Sequence, residues 1–282
     1  MWILVLAAGC QEYGFAEPVD PLELPGLPPT VPPEVTPDPP PSPTPPPGVA
    51  VEEVYANTDD TLYVVDPVNL ERTPLGTFRL PSGAPVQGGM TDIAIDNQGV
   101  MYGGTQTTLY RIDAQTAVAT PLCDTPTESQ MYAMAFTPDD RLIASGADGT
   151  IRVYDVQNCF AYVVLDDDQY DTSGDLVGLP DGFIYWTVDG LADGEDGLVR
   201  LDTENLTAGE WTTQYLGAIP YRGLFGLGYA NGLLYGFSTH GITVTVEVPG
   251  PPPASGVLNT STIENDEDIG WWGATTNPVA WD

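Results

Sequence analysis

One recurring pattern limits what this chain can fold into more than any other feature. Between Met131 and Asn158 an apolar strand (Met134, Ala135, Phe136) meets a turn at Pro138-Asp139-Asp140. A second strand (Leu142 to Ser145) meets a turn at Asp148-Gly149, and a third (Ile151 to Tyr154) ends on Asp155. The third strand recurs as Leu62 to Asp66, Leu109 to Asp113 and Leu198 to Asp202, with a degenerate copy from Ile242 to Val246 that lacks the final Asp. The second recurs as Val54 to Asn57, Met101 to Gly104, Ile184 to Thr187 and Leu234 to Phe237, with Gly99, Arg141, Gly182 and Gly232 in the turn before it. Successive copies lie roughly 40 to 50 residues apart, the period of four-stranded propeller blades.

The first strand supplies a column of small residues, Ala94, Ala135, Gly178, Gly228 and Gly273, each after a large apolar one. Innermost strands converge on the axis, where only small side chains fit between neighbouring blades. The fifth such strand, Ile269 to Ala274, has no full blade after it, while the repeat at Val54 begins with its second strand. The two ends therefore complement each other. The expectation is an all-β domain over residues 50–282, a five-bladed β-propeller closed by its N- and C-terminal strands, which hides the edges of an open sheet. Helical periodicity is absent, and the Pro-rich patch from Pro249 to Ala254 reads as a surface loop.

Residues 1–10, MWILVLAAGC, are an apolar run ending in small residues and a cysteine. The run is too short to span a bilayer as a helix. It resembles the export signal of bacterial lipoproteins, with Leu6 to Cys10 as the lipobox. That resemblance implies diacylation of Cys10, and Gln11 after it implies the outer membrane. An ordinary cleaved signal is the alternative. Residues 11–49 are dominated by proline from Pro18 to Gly48, with little apolar surface and few regular amide donors. Such a segment samples extended polyproline II and stays disordered. At about 3.1 Å per residue it would hold the domain on the order of 100 Å from its anchor. A Pro-rich ligand for an SH3-type partner is the rival reading.

The formal net charge is −33, and the chain has no lysine; its seven cations are all arginines. That field repels nucleic acid and anionic headgroups, so neither is expected as a partner of the domain. Solubility of an exported protein accounts for such a surface, as would salt adaptation or cation binding. The membrane is expected only through the lipid, an envelope protein or a glycan is the expected partner, and the domain is expected to be monomeric. With Cys10 assigned to lipid, Cys123 and Cys159 remain, and two states are open to them, a disulfide or two buried thiols.

Phe136 to Gly146 followed by Asp148 to Asp155 resembles a WD40 repeat with Tyr154 in place of the tryptophan. Val54 to Asn57 followed by Leu62 to Asp66 resembles the YVTN-type repeat of bacterial surface propellers. The resemblance covers most of residues 52–246 and speaks to fold rather than activity. The Gly-His pair of the WD40 hydrogen-bond network is missing, which favours a divergent bacterial propeller.

Constellations for catalysis are sparse. His240, the single histidine, lies in a Thr-His-Gly turn; no Cys-x-x-Cys supports zinc and no Gly-x-Ser-x-Gly elbow supports a serine hydrolase. Quinoprotein propellers use more blades and a repeated tryptophan signature. Trp271 and Trp272 read as core, whereas Trp186 and Trp211 fit either the core or a sugar-binding face. Asp189, Asp193, Glu195 and Asp196 alternate with Gly190, Gly194 and Gly197 in a long turn. Hard oxygen donors on such a loop suit Ca²⁺, the one cofactor the sequence suggests, although Asp-Gly pairs are also ordinary turn formers. A second cluster, Asp166 to Asp168 with Asp171 and Asp175, links two blades; Asp175 and Asp268 are candidates to line the channel. Three functions follow from different classes. The first is a lipid-anchored, non-enzymatic binding scaffold at the cell envelope. The others are a calcium-dependent lactonase or hydrolase, needing a channel-facing trio of acid and amide residues, and a structural envelope lipoprotein.

Overall fold

The computed structural model describes residues 53–282 except 126–129, 167–168, 191–193, 204–210, 249, 251, 267 and 279–282. Cys10, the 11–49 tract, Asp167, Asp168 and Asp193 fall outside the described residues. The described strands form five antiparallel sheets of four. Blade one joins β1 (Val54–Asn57), β2 (Thr61–Val65) and β3 (Arg72–Thr77) to β20 (Gly273–Thr276). Blade two is β4 (Asp92–Ile95), β5 (Met101–Gly104), β6 (Thr108–Asp113) and β7 (Val118–Asp124). Blade three is β8 (Ala133–Phe136), β9 (Leu142–Ser145), β10 (Ile151–Asp155) and β11 (Phe160–Leu165). Blade four is β12 (Thr172–Gly178), β13 (Ile184–Asp189), β14 (Asp196–Asp202) and β15 (Thr212–Ile219). Blade five is β16 (Leu224–Ala230), β17 (Leu233–Ser238), β18 (Ile242–Val246) and β19 (Thr260–Asn265).

Turn chemistry explains the recurring columns. Asp66, Asp113 and Asp155 end third strands because each carboxylate accepts the N–H two residues on, from Val68 (2.7 Å), Gln115 (2.9 Å) and Gln157 (3.0 Å). Gly99, Gly182 and Gly232 precede their second strands at φ +80°, +87° and +78°. In blade three the equivalent left-handed residue is Asp140 (φ +64°), not Arg141 as the sequence alignment has it.

Closure follows the expected plan with a shifted strand. The C-terminal inner strand is β20, Gly273–Thr276, rather than Ile269 to Ala274; it pairs with β1 through Ala274↔Ala56 and Thr276↔Val54. Trp271 ends the lead-in because it is spent on the core, fully buried, with Tyr63 and Phe237 edge-on at 5.4 and 5.5 Å. Around the axis the inner strands touch in the cycle β4, β8, β12, β16, β20 and back to β4.

Register also corrects the small-residue column. Ala94, Ala135 and Gly228 are equivalent, opposite Tyr102, Ile143 and Tyr235, but their counterparts are Val177 and Thr275, opposite Tyr185 and Tyr55. Gly178 lies one residue later and Gly273 two residues earlier. Small side chains are therefore required at particular crossings of the ring, not along one circle of it.

Candidate functional site

Inner strands have a partner on one side only, so alternate N–H groups point at the axis. The equivalent residues Ile93, Met134, Leu176, Leu227 and Ala274, opposite Gly103, Ala144, Trp186, Gly236 and Ala56, provide one such N–H from every blade. All five find a carboxylate. Asp92, at the start of β4, accepts from Ile93 at Oδ1 (2.7 Å) and from Met134 at Oδ2 (2.5 Å). Asp175, on β12, accepts from Leu176 at Oδ1 (2.5 Å) and from Leu227 (2.6 Å) and Ala274 (3.3 Å) at Oδ2. Two aspartates thus close a circle of donors drawn from five blades.

The two side chains have no solvent exposure and lie close enough for each to shift the other's titration. Burial, then the neighbouring charge, pushes Asp92 far above the ordinary carboxylate range; burial pushes Asp175 up to about 7 against the lowering effects of Asp92 and of the three amides it accepts from. Two like charges side by side in a dry site cannot both ionise, so the pair holds a proton at neutral pH. Space for it comes from missing side chains. A Cβ on Gly273 would lie 2.2 Å from Asp92 Oδ1 and 2.7 Å from Asn57 Oδ1, and one on Gly226 would lie 2.9 Å from the Ala274 Cβ. Asn57 Oδ1, buried and without a hydrogen-bond partner, borders the same spot as Asp92, an acceptor that a protonated carboxyl can serve and an ionised one repels.

At the other end of the inner strands a funnel of about 280 Å³ opens on the axis. Its walls are Ile95, Phe136, Val177 and Leu179, with the hydroxyl-bearing Thr137 and Thr276 and the amide of Asn97 among them. Thr276 Oγ1 accepts the axial N–H of Tyr229 at 2.6 Å. Among the described residues the lining contains no ionisable side chain.

The acidic loop proposed for Ca²⁺ is divided. Asp189 and Glu195 stay near the surface, and Asp193 lies outside the described residues. Asp196 faces the opposite way, fully buried, accepting from Ser173 Oγ (2.6 Å) and Leu224 N (2.8 Å), with burial raising its pKa. It ties blade four to blade five as Asp175 does. Among the described residues no three His, Cys, Asp or Glu side chains are grouped as metal ligands. Asp268, the other channel candidate, sits exposed in a turn with its N–H donated to Asp266. Trp186 and Trp211 are core residues, 0% and 6% exposed, so neither forms a sugar-binding face. His240 is an exposed turn residue. Cys123 and Cys159 are joined in a disulfide, Cα–Cα 5.4 Å, that staples blade two to blade three.

Sequence reasoning missed Asp92 and Asn57. The available signal was an acid two residues before Ala94, at the start of a strand otherwise apolar, and an amide closing the strand Val54 to Asn57.

No family model matches the chain, and no curated protein does. Solved structures do. Virginiamycin B lyase from Staphylococcus aureus is 10% identical, over 77% of this chain and 72% of its own, with a TM-score of 0.45. The β-propeller domain of Cps50 (Swd1) from Myceliophteria thermophila is 12% identical over 78% and 70%, at 0.42. A Bacteroides thetaiotaomicron protein of unknown function is 11% identical over 79% of this chain and 57% of its own, at 0.50. Such likeness is one of fold alone.

Proposed function

We propose that this chain is an exported lipoprotein whose propeller serves as a non-enzymatic interaction scaffold at the cell envelope, held by a lipid on Cys10 and extended on the Pro18 to Gly48 tract. The observation that carries the non-enzymatic part is the commitment of the axial carboxyls. A coupled acid pair with raised pKa values is the usual mark of a reactive site. Here both members are sealed from solvent, and every oxygen accepts a backbone N–H from an inner strand. Their chemistry is used to hold the ring, which leaves the funnel and the outer rim as the surfaces open to a partner.

The anchoring part is supported by Leu6 to Cys10 and by the composition of the tract that follows. Two or three acyl chains, at about 0.8 kcal/mol per buried methylene, hold a protein stably where one does so marginally. Cell fractionation of the wild type and of Cys10→Ser tests it. The reading expects the wild type with the membranes and the variant released or left as an unprocessed precursor. A variant that fractionates and migrates like the wild type removes the anchor, and with it the tether.

A further inference from the structure

Each blade ends in an outer strand, and four of the five edges are guarded against strand docking. β3 carries Pro74, and β7 carries Pro121 and is bridged at Val118 by Arg79. β15 is bridged at Ala218 by Val257, and β19 reads Thr-Ser-Thr-Ile-Glu-Asn, polar but for Ile263. Prolines, covering segments and polar faces are the devices by which sheets avoid edge-to-edge association.

β11 has none of them. Phe160-Ala161-Tyr162-Val163-Val164-Leu165 contains no charge, proline or glycine, and among the described residues it pairs along one side only, with β10. Phe160 is 61% exposed, Val163 40% and Tyr162 37%, and the rings of Phe160 and Tyr162 stack at 6.2 Å. The disulfide of Cys159 to Cys123 pins the turn before Phe160 to β7, where Leu122 is also exposed. The edge is therefore rigid, apolar and open. Its ends are acidic: Asp155 pairs with Phe160, Asp166 follows Leu165, and Asp124 ends the neighbouring β7.

We propose that β11 is a docking edge for an extended apolar segment of another protein flanked by basic residues, which adds to blade three as a fifth strand. This rests on the scaffold reading and names the surface it would use. Main-chain hydrogen bonds along the edge supply affinity, alternate apolar side chains lie on Phe160 and Tyr162, and the flanking cations meet the acidic ends. A second copy is the poorer occupant, because it brings the same acidic flanks and another −33 of net charge.

The test is a fluorescence anisotropy titration of the purified full chain with a labelled peptide of alternating valine and threonine carrying two lysines at each end. Saturable binding is expected, weakened at least tenfold by a central proline or by glutamates in place of the lysines. The Phe160→Lys/Tyr162→Lys protein should lose it to the same degree, and Ile263→Lys on β19 should not. Absence of saturable binding, indifference to the proline, or equal binding by the β11 variant overturns the proposal. So does a concentration-dependent dimer in sedimentation that the β11 variant abolishes, which would assign the edge to a second copy. Fractionation of Cys10→Ser is independent of every one of these outcomes.

Discussion

Asp92 and Asp175 come from blades two and four, yet their carboxyls meet on the axis and divide the five inward N–H groups between them, two to one and three to the other. A carboxylate accepting several amide hydrogen bonds is stabilised as an anion, whereas a second one beside it in a dry site is not. One shared proton reconciles the two demands. The pair then acts as a central pin, since loosening any blade strands a buried donor or acceptor.

Replacing Asp175 by asparagine tests the pin. The side-chain amide would point an N–H at an N–H, either that of Leu176 or those of Leu227 and Ala274, leaving a buried donor unpaired. Asp175→Asn is expected to lose about 2–3 kcal/mol in urea unfolding, and Asp175→Ala about 3–5 kcal/mol because all three donors lose their acceptor. A loss within about 0.5 kcal/mol for both, the size of an ordinary surface change, would show that the axial bonds contribute little.

Gly273→Ala places a methyl where the Asp92 carboxyl sits, at 2.2 Å from Oδ1, on the strand that closes the ring. Asp92 is held by two amides and cannot swing away freely. We expect a destabilisation of about 1–3 kcal/mol. The variant should also unfold faster while refolding at much the same rate, if closure follows formation of the blades. Stopped-flow chevron plots of the two proteins separate that outcome from a slowed refolding limb.

The Cys123–Cys159 disulfide encloses a sequence separation of 36. Restricting the unfolded chain over such a loop contributes about 3–4 kcal/mol in the chain-entropy account. Scanning calorimetry with and without reductant should therefore show a drop of roughly 6–16 °C in the midpoint. Titration of denatured, unreduced protein should detect no free thiol from these two residues; two free thiols would remove the staple.

Sequence made the blades legible because each is built from local signals. Asp66, Asp113 and Asp155 cap their own turns, and Gly99, Gly182 and Gly232 mark left-handed positions. The axis was not legible in the same way. Asp92 and Asp175 meet only because two distant inner strands face each other, and no spacing records that. Alternation says which face of a sheet a side chain takes, but not that Ile93 and Leu227 turn their N–H groups inward. Gly273 was found for its size and placed in the wrong column, since its size answers to the Asp92 carboxyl rather than to a general narrowing of the ring. Asp196 misled for a related reason. It is one of a run of surface acids by sequence, yet β14 begins there and turns it inward to Ser173 and Leu224.

The folded ring keeps a proton that its unfolded chain gives up. Burial raises Asp175 to about 7 and Asp92 well above its ordinary value, and Asp96 and Asp196 are raised by burial too. Native carboxyls that hold protons more tightly than unfolded ones make stability greatest below about pH 4. Stability is then lost as pH rises through about 7, by up to about 1.4 kcal/mol per pH unit for each carboxyl. Asp155 and Asp266 have lowered pKa values and work in the opposite sense below about pH 4, but both are in contact with solvent, which screens them. Proton exchange during refolding from urea at pH 6, read with an indicator dye in weak buffer, measures this retained proton directly. Net uptake that shrinks in Asp175→Asn is the predicted result; no exchange, or net release, would contradict it.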